Sequence, residues 1–77
     1  MKSLEMDWLT YRHMVIHPQA PPIQIQESRR AFFAGSESVI NALILSFKKP
    51  SGNFVDVVED IQQQLIEFAE KVKNGVA

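Results

Sequence analysis

From Gln24 to Lys48 the chain contains no proline, and its apolar side chains recur at helical spacing. Ile25, Phe32, Val39 and Leu43 fall on one line and Phe33, Ile40, Ile44 and Phe47 on a neighbouring one. A helix with so broad an apolar arc has to be covered, so this stretch obliges the rest of the chain to supply helices that pack on it. Glu27, Arg30, Glu37 and Asn41 take the remaining, solvated face. Ala31, Gly35, Ser38 and Ala42 form a further line of small side chains over which another helix can bring its backbone close. Glycine inside a helix costs about 1 kcal/mol relative to alanine. A close contact at Gly35 would offset that cost, and a merely tolerated glycine is the plainer alternative.

Prolines mark where this helix begins. His17-Pro18-Gln19-Ala20-Pro21-Pro22 removes backbone donors and biases each preceding residue away from helical angles, which makes it a stiff linker over 17–22. Before it, Ser3 is placed to cap a helix over about 3–16, in which Leu4, Trp8, Tyr11 and Val15 share a face. Glu5 and Asp7 in its first turn and Arg12 and His13 near its end suit the helix dipole. The central helix is expected over about 23–48, closed by Lys48-Lys49 and a tight reversal at Pro50-Ser51-Gly52-Asn53.

Asn53 can then cap a last helix over about 53–74 that ends at Asn74-Gly75. Phe54, Val58, Ile61, Leu65, Phe68 and Val72 follow one another at alternating steps of four and three, the cleanest heptad seam in the chain. The expectation is a single all-α domain over 1–77, a short N-terminal helix followed by a long antiparallel helical hairpin. Two long helices and a short one cannot hide all of this apolar surface. The surplus points to a homodimer resembling a four-helix bundle, with Ala31, Gly35, Ser38, Ala42, Ile61, Leu65 and Phe68 in self-association. A compact three-helix monomer is the alternative.

At 77 residues the chain lies near the lower size at which one core suffices, and with no cysteine neither disulfides nor thiolate zinc sites can replace that core. A formal charge of −1 gives no global attraction to phosphate backbones or anionic lipid. The apolar run between Arg30 and Lys48 is short of a membrane span and carries Ser36, Glu37, Ser38 and Asn41 near its middle. Glu5 and Asp7 interrupt any signal-peptide apolar region, so a cytoplasmic address is expected, with no membrane association.

Chemical signals are sparse. His13 and His17 are four apart, but no third ligand is indicated and Pro18 disrupts the turn, so no metal is expected. Glu59, Asp60, Glu67 and Glu70 read as a solvated face without the ExxH of a di-iron bundle. No nucleophile elbow or phosphate cradle is present. The chain is therefore read as a non-enzyme with no cofactor and no catalytic residues. Arg29-Arg30 and Lys48-Lys49 would need to converge with Arg12 to hold nucleic acid. Pairing of the arginines with Glu27, or with carboxylates of a neighbouring helix, is the plainer reading.

Trp8, Tyr11-Arg12, Val15, the break at Pro18 to Pro22, and Gln26-Glu27-x-Arg29-Arg30-Ala31-Phe32-Phe33-Ala34-Gly35 together form a pattern that resembles small, functionally unassigned helical proteins of bacteriophages and prophages. The likeness covers about 4–47 and rests mainly on RRAFFAG with the upstream Trp and Tyr-Arg; Ser36 stands where alanine is expected. The family brings no assigned activity, so no functional residue carries over. The resemblance implies a protein that works by binding other proteins, as a homo-oligomer and against a host factor such as a defence or replication protein. Trp8, Tyr11, Arg29, Arg30 and Phe33 are the candidate partner contacts. An accessory nucleic-acid-binding protein of phage replication or transcription is the alternative it leaves.

Overall fold

The structure, a computed structural model, describes residues 3–48 and 53–77. It holds three α-helices, α1 over Leu4–Val15, α2 over Pro22–Lys48 and α3 over Phe54–Lys73, and no strand among the described residues. The expected reversal at Pro50-Ser51-Gly52 and the position of Lys49 lie outside the described residues. Packing divides the chain into two units, Met1–Glu37 and Ser38–Ala77, with the boundary inside α2.

Each helix start and stop has a local cause. The Ser3 hydroxyl accepts from the Met6 amide at 3.1 Å, satisfying one of the donors that a helix start leaves without a partner. At the other end of α1, Ile16 turns to extended geometry while its amide still donates to Arg12 O. The His17 ring then holds the linker in shape, its Nδ1 accepting from the Gln19 amide at 3.0 Å. Pro22 opens α2, where its missing N–H costs nothing, and Pro21 O receives the first amides of the helix from Gln24 and Ile25. Asn53 Oδ1 accepts from the Val55 and Asp56 amides at 2.9 and 3.4 Å and starts α3. Such a cap contributes about 1 kcal/mol. At the end of α3, Gly75 takes φ 73°, its amide donating to Val72 O and that of Val76 to Lys71 O, the paired bonds of a Schellman motif.

In the first unit the core is aromatic. Trp8 is 1% exposed, the one large side chain fully buried among the described residues. Its ring centroid lies 5.8 Å from that of Phe32 and 6.1 Å from that of Tyr11, which is itself 6.0 Å from Phe32. Phe33 meets Phe32 edge-on at 5.5 Å. These separations fall in the range where aromatic pairs add about 0.5–1.5 kcal/mol beyond the area they bury. Leu4 and Val15, on the same face of α1, stay exposed, so only the middle of that face is used.

In the second unit the ring of Phe47, at the end of α2, stacks on that of Phe54, at the start of α3, with centroids 4.7 Å apart. Ala42, Leu43, Val57, Val58 and Ile61 are half-buried and Ser46 is buried. Ser46 is tolerated there because its hydroxyl donates to Leu43 O at 2.6 Å and leaves no polar atom without a partner. Every residue from Gln62 to Ala77 is exposed.

Candidate interaction surface

Two surfaces carry the residues that the sequence nominates, one in each unit. On the first, α1 supplies Glu5 and α2 supplies Arg29. The guanidinium meets the carboxylate with two parallel bonds of 2.7 Å, Nη1 to Oε1 and Nη2 to Oε2. The same guanidinium lies over the Phe33 ring at 4.9 Å from its centroid, within range of a cation–π contact. Gln26, Arg29, Arg30 and Phe33 line an open concavity of about 400 Å³. Of the five proposed partner contacts, Tyr11 and Arg30 are exposed and Arg29 and Phe33 half-buried. Trp8 is inside, enclosed by Tyr11 and Phe32, because α1 turns its middle onto α2; it presents nothing to a partner and belongs to the core.

The hydrogen bonds from Arg29 hold the Glu5 carboxyl below the ordinary glutamate range, against a smaller opposing effect of desolvation, with direct attraction to the guanidinium adding to the lowering. Arg29 is correspondingly raised, first by its bonds to Glu5. A carboxyl depressed in the folded state contributes stability that is present above its unfolded value and is lost as pH falls through the folded one. Stability is therefore expected to fall as pH drops below about 4.3, the ordinary glutamate value, and part of that fall should vanish in Glu5→Gln. Thermal melts at pH 7 and pH 3 check this; equal acid sensitivity in the variant would show that the pair contributes nothing. The Arg29 and Glu5 side chains are 44% and 50% exposed, so the difference should be small.

The second surface is the later part of α3. Its heptad seam starts half-buried, with Val58 and Ile61, and then opens: Leu65 is 61% exposed, Phe68 58% and Val72 54%. Leu65 and Phe68 lie three apart on one face, so their side chains form a continuous apolar stripe. Lys71 and Lys73 stand in the last turn and Asp56 in the first.

The small-residue line of α2 divides between the units. Ala31, Gly35 and Ser38 are exposed and Ala42 is half-buried. A Cβ built on Gly35 meets nothing within 4 Å, so no close helix approach explains the glycine in this chain. Gly35→Ala should accordingly raise stability, by up to about 1 kcal/mol, through helix propensity alone. Chemical denaturation measures it, and a loss of stability would place another helix on that face.

Neither histidine assembles a site. His13 ends α1 while His17 lies beyond Ile16 in the linker, with Nδ1 occupied by the Gln19 amide. No group of three or more potential metal ligands occurs among the described residues. Nor is any described helix long and apolar enough to cross a membrane.

No family model, curated protein or solved structure matches the chain.

Two features of these surfaces were only partly legible in the sequence. It placed the partner of Arg29 on Glu27 or on a carboxylate of a neighbouring helix, and the second alternative holds: the partner is Glu5 of α1, 24 residues away. Charge signs alone cannot choose among several carboxylates, whereas the i,i+4 spacing of Gln63 and Glu67, which bond at 3.3 Å, is visible locally. Ser46 gave no sign of burial beyond its place between two apolar residues.

Proposed function

We propose that this protein works by binding other proteins, first a second copy of itself, as a small non-enzymatic helical module. The observation that supports this is the uncovered seam of α3, where Leu65, Phe68 and Val72 are each more than half exposed on one face. An apolar heptad stripe is favoured by burial and by nothing in water. The assembly read from the sequence, a homodimer with two helices of each copy in a four-helix bundle, is the arrangement this surface suits. The second partner is a host protein of a bacterium, in keeping with the resemblance to phage and prophage proteins. On the first unit the exposed Tyr11 and Arg30, and Phe33, which lines the same concavity as Arg30, are the contacts offered to it.

A nucleic-acid role has less support. Arg29, half of the basic pair, is already committed to Glu5 and to the Phe33 ring, and one exposed arginine makes no phosphate-binding patch.

The test is light scattering across a dilution series. A mass that moves from twice to once the chain mass of 8.8 kDa on dilution supports self-association. A constant 8.8 kDa up to near-millimolar concentration would remove it.

A further inference from the structure

Neither histidine takes part in a metal site, but both border an open concavity of about 330 Å³ where α1, the linker and α2 meet, inside the first unit. Leu9, Ile16 and Ile25 give it an apolar wall, Ile16 and Ile25 being half-buried. Arg12, His13 and His17 give it a polar rim. Sites for small molecules have this size and make-up, a mostly apolar lining with a few convergent polar groups. The local sequence accounts for it. Leu9, Arg12, His13 and Ile16 share one face of α1, and the chain turns to extended geometry at Ile16, which leads the linker and His17 past the end of that face.

The hydrogen-bonding capacity of the rim is one-sided. His17 Nδ1 accepts from the Gln19 amide, so the proton of that ring is on Nε2, a donor. Arg12 has only donors, and His13 has one N–H in either tautomer. Among the described residues Arg12 makes no ion pair, and no acid lines the concavity. The described acids of this unit lie elsewhere. Glu5 is bonded twice to Arg29. Asp7 is five residues before Arg12 and Glu27 two after Ile25, spacings that put both on other helix faces. The negative end of the α1 dipole works against an anion here, and the positive end of α2, whose first turn contains Ile25, works for one.

We infer that this concavity binds a small organic acid, its carboxylate on Arg12 and the imidazole N–H groups of His13 and His17 and its short alkyl chain against Leu9, Ile16 and Ile25. The site is independent of self-association, since every group in it belongs to the first unit.

Hexanoate at pH 7 is the probe, with hexanol and hexylammonium as controls of equal chain length. Titrated into the full, nitrogen-15-labelled chain, hexanoate should shift the amide signals around Leu9, Arg12, His17 and Ile25 and saturate with a dissociation constant of about 1 mM, an affinity within reach of a ligand of about eight non-hydrogen atoms. Hexanol and hexylammonium should bind at least about tenfold more weakly, and Arg12→Gln should weaken hexanoate about tenfold, the effect of losing one hydrogen bond to a charged group. Arg12 is exposed, so that variant should keep the fold, which its unchanged signals away from the concavity check. Long-range proton–nitrogen correlations of the imidazoles should find the His17 proton on Nε2. The site is overturned by any of four results: no saturation up to about twenty times the expected constant, hexanol or hexylammonium binding as well as hexanoate, an unchanged affinity in Arg12→Gln, or a His17 proton on Nδ1.

Discussion

Trp8→Ala is expected to cost about 3–5 kcal/mol, the range for removing a buried tryptophan or phenylalanine from a core. No other large side chain among the described residues is as fully buried, and both Tyr11 and Phe32 pack on it. The hole left by an indole cannot be refilled by side chains as constrained as these. Small domains carry about 0.05–0.15 kcal/mol of stability per residue, so such a loss consumes a large share of the total for a chain of 77 residues. Trp8→Phe keeps a ring in place and should lose distinctly less. Helix content followed by circular dichroism through a denaturant series measures both variants. If Trp8→Ala lost under about 1 kcal/mol, the aromatic cluster would not be what holds α1 to α2. Because Trp8 is the sole tryptophan, the fluorescence of the unmodified chain reports the same event, the shielded indole shifting to longer wavelength as the unit opens.

The opposite behaviour is expected of the double substitution Leu65→Lys with Phe68→Lys. Both side chains are more than half exposed, so folding of the single chain should change by no more than about 0.5 kcal/mol per site, and lysine is a good helix former. Association should change greatly. Burying one leucine or phenylalanine contributes roughly 1.5–3 kcal/mol, and a two-fold interface loses each of them twice. If the parent chain dimerises as proposed, a dissociation constant raised at least about a hundredfold follows, read as monomer at concentrations where that dimer would form. An unchanged mass profile would mean that this seam is not where the copies meet.

How far the chain could be read in advance depended on how local each cause is. Ser3 and Asn53 were legible as helix starts and Gly75 as a stop, since each acts on amides or carbonyls within five residues of itself. Pro21 and Pro22 announced the start of α2 for the same reason. Trp8 was legible as part of the apolar face of α1, and its reading as a partner contact failed because composition gives a residue's wish for burial and not what buries it. The link from Glu5 to Arg29 depends on how α1 lies on α2, which no short pattern contains. The seam of α3 was plain as a stripe, and its being half covered and half bare was not: coverage depends on which other segments reach it. A repeating apolar stripe names no occupant, since any matching stripe can pair with it.

The left-handed turn at Gly75 has a practical corollary. By reversing the backbone and tying the Val76 amide back to Lys71, it steers whatever is joined after Ala77 away from the axis of α3. A purification tag or fluorescent fusion placed there leaves α3 at an angle and does not lengthen it.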